Sequence, residues 1–288
     1  MRPINLRRLG LFFGVVAFGA IWFWTSQRFR PERVVIDGHA IEFARHGSGS
    51  PTVVFLHGGF GGGPKLSSWA SWQLRIGTAL FNYSRPGQGN SGPATDQRTP
   101  LQIVDELHRL LGRVGVRPPY ILVGSSLGGL YGRAFAMKYP ADVAGLVLVD
   151  GSHERQFVEM HRLDPAAYPL PAPTDPNWAK PEFAGISPTF LSGKLDGGGP
   201  LPDVPMAVIT SLHHGKGTAT AAPAAEDLWR KLQSEIFQST TYGIHLVTAQ
   251  SHHSIAADEP ELVLHAVRWV LDAARTRAKN PAPAGQPR

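Results

Sequence analysis

Short apolar runs alternate with helix-like stretches along most of this chain, and that alternation restricts the possible folds more than any other feature. Four of the runs are TVVFLHGG at 52–59, YILVGSS at 120–126, VAGLVLVD at 143–150 and VPMAVITS at 204–211. Short apolar runs bounded by turn-forming residues are typical of buried strands, and strands that alternate with helices form a mostly parallel sheet. We therefore predict an α/β fold in which helices cover a mostly parallel, doubly wound sheet of about eight strands.

Two local signals define elements near the start of this sheet. The stretch RVVIDGHAIEFARHG at 33–47 predicts a hairpin that turns at Asp37-Gly38, because that dipeptide favours a tight two-residue turn. The stretch at 99–115 has helical spacing, with Thr99 as the cap and Pro100 at the first helical position.

The predicted strands end at polar residues, and this locates the expected site. Ligands bind at the carboxyl ends of the strands in sheets of this kind. The polar residues that close the apolar runs are His57, Ser84, Ser126, Asp150, Ser211 and Ser251.

Ser126 is the candidate nucleophile. It lies at the centre of Gly124-Ser125-Ser126-Leu127-Gly128, a G-x-S-x-G pattern with a predicted strand directly before it and a predicted helix directly after it. That context is what a nucleophile elbow requires, and the glycines leave room for the adjoining strand and helix. Ser125 fills the variable position, so its side chain is predicted to point away from the substrate.

With these motifs the chain resembles the α/β-hydrolase fold family over about residues 33–275. HGGFGGG at 57–63 resembles the family's turn after the third strand, which implies an oxyanion-hole N–H from Gly59 or from Phe60. Leu127, directly after the nucleophile, would supply the other N–H. YSRPGQGNSG at 83–92 resembles the family's D-R-x-G-x-G-x-S loop, although Ser84 stands where an aspartate is more usual.

The resemblance also implies a histidine base late in the chain. SHHSIAADEPELV at 251–263 resembles the family's S-G-H-x-x-x-x-D-x-P segment, and alignment on Asp258 and Pro260 makes His253 the base. His252 then occupies the usual glycine position and is the alternative.

The acid has two candidate positions. Asp150 ends the predicted sixth strand, beside the strand of the nucleophile, and some family members use that position. The family more often places the acid after the seventh strand, where the first carboxylates are Glu226 and Asp227, which also fit the first turn of a helix. Asp258 is better explained as a helix N-cap, with Glu261 completing a capping box.

Together these residues imply a serine hydrolase that works through an acyl-enzyme, most simply on a carboxylic ester of a small or apolar-acyl substrate. No cofactor and no metal are expected. The alternatives are an acyltransferase, amidase or lactonase of the same fold, a non-catalytic binding protein, and a membrane-tethered scaffold. The oligomeric state is left open.

Charge and composition exclude other classes. The net charge is +6, but residues 1–33 contribute +5 and residues 272–288 contribute +3, which leaves −2 for the body of the chain. The body therefore lacks the basic surface that nucleic acid requires. With no cysteine, the chain cannot form disulfides or use a thiolate nucleophile.

The amino terminus is predicted to be a membrane anchor, residues 1–28. The segment Leu9–Gln27 is uncharged over 19 residues, which at about 1.5 Å per residue is close to the thickness of a bilayer core. We expect a single-pass anchor with the catalytic domain outside the cytoplasm. A cleaved signal peptide is the alternative.

The remaining boundaries follow from proline and glycine. Residues 33–275 are expected to form the hydrolase domain, with a lid at about 151–204 and a loose tail at 278–288. The stretch 164–205 holds ten prolines and little periodicity, so it is predicted to be an irregular insertion without a strand.

Overall fold

One eight-stranded sheet organises the part of the chain that the computed structural model describes, which is residues 31–59, 75–213 and 222–280. The spatial order is β1-β2-β4-β3-β5-β6-β7-β8, with β2 antiparallel to its two neighbours and every other pair parallel. The prediction of a mostly parallel α/β sheet of about eight strands is confirmed. The strands are β1 (Glu32–Ile36), β2 (His39–His46), β3 (Thr52–Leu56), β4 (Leu80–Tyr83), β5 (Tyr120–Ser125), β6 (Val143–Val149), β7 (Met206–Ser211) and β8 (Gly243–Thr248).

Helices follow most of the strands. They are α1 (Pro100–Arg113), α2 (Leu127–Lys138), α3 (Gln156–Leu163), α4 (Pro181–Ser192), α5 (Ala222–Phe237), α6 (Ile255–Asp258) and α7 (Pro260–Lys279). A single 3₁₀ turn, Pro140–Asp142, precedes β6.

The core lies on both faces of the sheet, as β5 illustrates. Leu122 packs in the cluster that contains Leu107 of α1 and Leu130 of α2. Its neighbours Ile121 and Val123 point to the other face and pack in a separate cluster, which contains residues of α7. Because side chains alternate along a strand, a strand covered by helices on both faces is apolar throughout.

The two local signals have the predicted structures. β1 and β2 form a hairpin in which Asp37 and Gly38 both have positive φ, 49° and 84°, as a type I′ turn requires. At the start of α1, the Thr99 side chain accepts from the backbone N–H of Gln102, whose own side chain accepts from the N–H of Thr99. This is a complete capping box, with Pro100 as the first helical residue.

The predicted cap at Asp258 is wrong. Asp258 is the last residue of α6, and α7 begins at Pro260 with Glu259 at its N-cap. The ring of Pro260 disfavours helical backbone at the residue before it, so Glu259 separates the two helices. Glu261 does not complete a capping box; its carboxylate pairs with Arg75 instead.

The insertion between β6 and β7 has no strand, as predicted, but it is not irregular throughout. α4 runs inside the proline-rich stretch, with Pro181 at its first turn and Gly193 in the left-handed conformation at its end. Phe183, Ile186 and Phe190 recur at helical spacing and are buried, while Pro188 lies on the exposed side of the helix. Proline at a helix start and on an exposed face is tolerated, so the high proline content hid a real helix.

Several predicted segments lie outside the described residues, namely the anchor at 1–28, Phe60 with the rest of the glycine-rich turn, and the end of the tail from 281. Within the described ranges, no helix combines the length and apolarity needed to cross a bilayer. α7 continues to Lys279, so the first two residues of the predicted tail are helical.

Candidate active site

Ser126 lies in the sharp turn between β5 and α2, with φ of 53° and ψ of −122°. Three backbone hydrogen bonds hold it. Its N–H donates to the carbonyl of Val149 at 3.1 Å, and its carbonyl accepts from the N–H groups of Ser152 at 2.8 Å and Gly129 at 2.9 Å. The glycines of the motif are required by space. A Cβ on Gly124 would overlap the carbonyl of Gly128, and a Cβ on Gly128 would overlap the carbonyl oxygen of Leu56.

His253 connects Ser126 to Asp150. The Nε2 atom of His253 is 2.8 Å from Ser126 Oγ, and its Nδ1 atom is 2.7 Å from Asp150 Oδ2. The loop that carries the histidine follows β8, and the Ser211 hydroxyl fixes it by donating to the carbonyl of Ser251 at 2.8 Å. A histidine in this arrangement can accept the serine proton at Nε2 while its Nδ1–H donates to the carboxylate.

Asp150 is fully buried directly after β6, with φ of 47°. While its Oδ2 faces His253, its Oδ1 accepts from the indole N–H of Trp229 at 2.8 Å and from the backbone N–H of Ser211 at 3.1 Å. These donors compensate the charge of a carboxylate that is removed from water and hold it in one orientation.

The other predicted carboxylates and the second histidine lie elsewhere. Glu226 and Asp227 are the fifth and sixth residues of α5 rather than in its first turn, and Asp227 pairs with Arg230 on the exposed side. His252 is exposed, and its Nδ1–H donates to the carbonyl of His213 at 3.1 Å. The structure thus brings His253 and Asp150, rather than these alternatives, to Ser126.

Gly59 and Leu127 line a cavity of about 280 Å³ together with Ser126. Leu127 is the first residue of α2, so its N–H has no partner within the helix. A Cβ on Gly59 would lie 2.6 Å from the ring of Phe183, so a larger residue at this position would require that ring to move. Ser125 is half-buried and is not among the described residues that line the cavity.

The insertion supplies the apolar wall of the cavity. Four aromatic rings from it pack edge to face with centroids 4.8 to 6.0 Å apart, an arrangement that ring quadrupoles favour. Polar side chains lie at the same cavity. The rings belong to Phe157, Trp178, Phe183 and Phe190, and the polar lining residues are Ser152, Gln156, Asp175 and Asn177.

The sequence analysis missed a buried polar network beside the two glycines that follow β3, Gly58 and Gly59, which are called the glycine turn below. Arg85 donates from Nη1 to the carbonyl of His57 at 2.8 Å and from Nη2 to that of Gly58 at 2.9 Å. Its Nε donates to Glu182 of α4 at 2.8 Å. Burial disfavours the Arg85 cation, but the Glu182 carboxylate together with Tyr131 and Tyr83 outweighs that effect, so the pKa of Arg85 is raised. Arg85 belongs to the motif YSRPGQGNSG, whereas no pattern in the sequence indicates Glu182.

The side chains of His57 and Ser84 are also held by polar partners in this region. Burial lowers the pKa of His57 to about 4, and its Nε2 lies 2.5 Å from the side-chain oxygen of Asn82. Ser84, which replaces the more usual aspartate, donates to the carboxylate of Glu42 at 2.8 Å. Glu42 also accepts from the backbone and side chain of Asn90. A carboxylate from β2 therefore accepts hydrogen bonds from the loop that contains Ser84.

Comparison with known proteins agrees with this architecture. The alpha/beta hydrolase family matches residues 53–283. The chain is 30% identical to the uncharacterized protein YqjL of Bacillus subtilis over 252 residues, covering 84% of this chain and 92% of that protein. It is 32% identical over 120 residues to esterase Rv0045c of Mycobacterium tuberculosis, covering 42% and 39% of the two chains. The fold is similar to mouse alpha/beta hydrolase domain-containing protein 10, with a TM-score of 0.61, 17% identity, and coverage of 86% and 99%.

Proposed function

Because the chain belongs to the alpha/beta hydrolase family, we propose that it is a serine hydrolase that cleaves carboxylic esters through an acyl-enzyme. The observation that carries the proposal is the continuous hydrogen-bonded chain from Ser126 Oγ through His253 to Asp150, with contacts of 2.8 and 2.7 Å. A serine hydroxyl is a weak nucleophile in water, and an adjacent base oriented by a third group activates it.

In the first half-reaction, Ser126 Oγ attacks the ester carbonyl carbon while its proton passes to His253 Nε2. Asp150 accepts from Nδ1–H, which fixes the tautomer and stabilises the imidazolium. The carbonyl oxygen becomes an oxyanion, and the backbone N–H groups of Gly59 and Leu127 are the proposed donors to it. Each such donor contributes roughly 3 to 4 kcal/mol in comparable sites.

The tetrahedral intermediate then collapses, and the alcohol leaves with the proton that His253 returns. A water molecule repeats the sequence on the acyl-enzyme: it loses a proton to His253, attacks the acyl carbon, and Ser126 leaves with that proton. One ester and one water give one acid and one alcohol. None of these steps needs a cofactor.

The cavity supports an apolar acyl group of modest size. Aromatic side chains supply its wall, and about 280 Å³ lies at the lower end of the usual range for small-molecule sites. A relative named as an esterase supports the ester reading. Acyl transfer to an alcohol and hydrolysis of an amide or lactone use the same first step, so they remain the alternatives within this chemistry.

The decisive experiment is labelling with a serine-directed fluorophosphonate, followed by a panel of p-nitrophenyl esters of rising chain length. Ser126→Ala should abolish labelling and turnover and unfold as cooperatively as the unmodified chain. Ser125→Ala is the matched control and should keep most of both. If neither labelling nor turnover is detected with the folded wild-type chain, a non-catalytic binding role replaces this proposal.

We also propose that residues 1–28 anchor the enzyme in a membrane, with the hydrolase domain outside the cytoplasm. The proposal rests on the uncharged segment Leu9–Gln27 between arginines. The full chain should sediment with membranes and resist carbonate extraction, whereas a variant that starts at residue 33 should be released and keep its turnover. A full chain that carbonate extracts would refute the anchor, and loss of activity on release would favour the tethered scaffold.

A further inference from the structure

The insertion reaches the buried network through one side chain, Glu182. It belongs to the first turn of α4 and is only 5% exposed. Its Oε1 accepts from Arg85 Nε at 2.8 Å and from the Tyr131 hydroxyl at 2.9 Å, and its Oε2 accepts from Gln88 Nε2 at 2.8 Å. Three donors satisfy this buried carboxylate and leave it little freedom to reorient.

The other ends of this network lie on the glycine turn. Arg85 donates to the carbonyl of Gly58 at 2.9 Å, and Gln88 donates to the carbonyl of Gly59 at 3.2 Å. The peptide between the two glycines is trans, so the carbonyl of Gly58 and the N–H of Gly59 lie in one plane and point in opposite directions. A donor that holds the carbonyl of Gly58 therefore also sets the direction of the Gly59 N–H.

α4 packs closely enough against the rest of the domain to hold Glu182 in place. A Cβ on Gly185, one turn further along, would overlap the backbone of Arg98, so the helix lies directly against the segment before α1. The side chain of Arg85 also stacks over the ring of Tyr131, with the guanidinium carbon 5.0 Å from the centroid. The cation is thus fixed from two sides, by the carboxylate and by the ring.

We propose that Glu182 is a positioning residue that acts through Arg85 and Gln88 to aim the Gly59 N–H, so that oxyanion stabilisation depends on the docking of α4. This inference rests on the proposed hydrolase function and adds to it. By this inference the insertion contributes to oxyanion stabilisation and also forms the wall of the acyl cavity.

The test compares two glutamates of the insertion that each pair with a buried arginine of the core. Glu182→Gln removes the charge opposite Arg85 and places an amide N–H₂ among donors. Glu154→Gln is the control, because Glu154 pairs with Arg133 at 2.6 Å and forms no hydrogen bond or ion pair with the two described glycines of the turn, Gly58 and Gly59. Both variants weaken docking of the insertion, so a general structural effect appears in both.

Glu182→Gln should lower kcat about 10- to 100-fold with KM changed less than threefold, since a misplacement of about 1 Å can cost that much in rate. Its inhibition constant for an aldehyde analogue of the best ester should rise by the same factor, because that adduct uses the oxyanion donors. Glu154→Gln should stay within threefold on every parameter. Equal effects of the two variants, or a change in KM alone, would overturn the inference.

Two further results keep the outcome unambiguous. If Glu182→Gln does not fold, Gln88→Met carries the test, because it removes the second link between Glu182 and the turn at a half-buried position. It should lower kcat about three- to tenfold with KM unchanged, and an unchanged kcat refutes the role of Glu182. Fluorophosphonate labelling of the wild-type chain distinguishes failure of the proposed function from failure of this inference. If the wild-type chain is not labelled, the proposed function fails; if it is labelled, the variants test only the positioning role of Glu182.

Discussion

Replacing Asp150 by asparagine should lower kcat/KM for ester hydrolysis about 10⁴-fold while the chain stays folded. The reason is the orientation that the new amide must adopt. Two N–H groups, from Trp229 and Ser211, point at Oδ1, while His253 lies at Oδ2. An amide has one oxygen, which accepts hydrogen bonds, and one N–H₂ group, which donates them. The N–H₂ of the new asparagine must therefore face either the two N–H donors or His253.

The two donors decide that orientation. Turning the N–H₂ towards them would leave two buried donors without acceptors, at about 1 to 3 kcal/mol each, or roughly 2 to 6 kcal/mol in all. The amide oxygen therefore stays with Trp229 and Ser211, and the N–H₂ donates to Nδ1 of His253. The ring must then carry its proton on Nε2, where it can no longer accept from Ser126. A loss of about 10⁴ in rate corresponds to about 5.5 kcal/mol, within reach of that preference.

A second substitution tests this argument directly. Adding Trp229→Phe to Asp150→Asn removes one of the two donors, so the preference for the unproductive orientation should fall by about 1 to 3 kcal/mol and activity should recover by about 5- to 150-fold. In the unmodified background, Trp229→Phe should lower activity. Initial rates with a p-nitrophenyl ester, at matched folded fraction from urea titration, provide the measurement.

Two results would refute the reasoning. Near-normal turnover of Asp150→Asn would transfer the acid role to Glu226 or Asp227. A double variant no more active than Asp150→Asn would show that the donors on Oδ1 do not set the orientation. Asp227→Asn is the control for charge alone and should keep its rate within twofold, because that carboxylate pairs with Arg230 at the surface.

The remaining predictions concern stability. Gly128→Ala should lower the free energy of unfolding by about 3 kcal/mol or more, because the new Cβ overlaps the Leu56 carbonyl. Gly112→Ala in α1 has open space around it and should raise the free energy of unfolding by about 0.5 kcal/mol. Urea unfolding midpoints measure both effects, and equal shifts of the two variants would contradict the steric argument. Burial lowers the pKa of His153 and of His57 to about 4, so below about pH 6.5 the unfolded chain binds protons that the folded chain does not. Stability should therefore fall by up to about 3 kcal/mol per histidine between pH 6.5 and 4, and His153→Gln should give a shallower urea-midpoint profile than the wild-type chain; parallel profiles would count against it.

Much of the fold was predictable because its signals are local. The turn at Asp37-Gly38 and the cap at Thr99 depend on residues within three positions of each other. The strands were recognisable because buried parallel strands are apolar on both faces, as Ile121, Leu122 and Val123 are. The G-x-S-x-G motif located Ser126 because the strand, the turn and the helix that define an elbow are consecutive.

The failures arise where contacts are distant in sequence or where one local signal hides another. Glu182 meets Arg85 across 97 positions and Trp229 meets Asp150 across 79, so neither pairing leaves a periodic trace. In α4, prolines at the first turn and on the exposed face suppressed a helix prediction that the spacing of the buried apolar residues would have supported. At Asp258 a cap pattern was present, but Pro260 displaced the helix start.

The sheet holds the two site residues that have strained backbone conformations in the same way. Ser126 and Asp150 both have positive φ, an arrangement that costs about 1 to 3 kcal/mol for each non-glycine residue. They follow adjacent strands, and backbone bonds across the sheet hold them, from Ser126 to Val149 at 3.1 Å and from Asp150 to Ile209 at 2.7 Å. The sheet thus supports the strain through its own hydrogen bonds. Substitution of either side chain should therefore remove chemistry without dismantling the turns that present it.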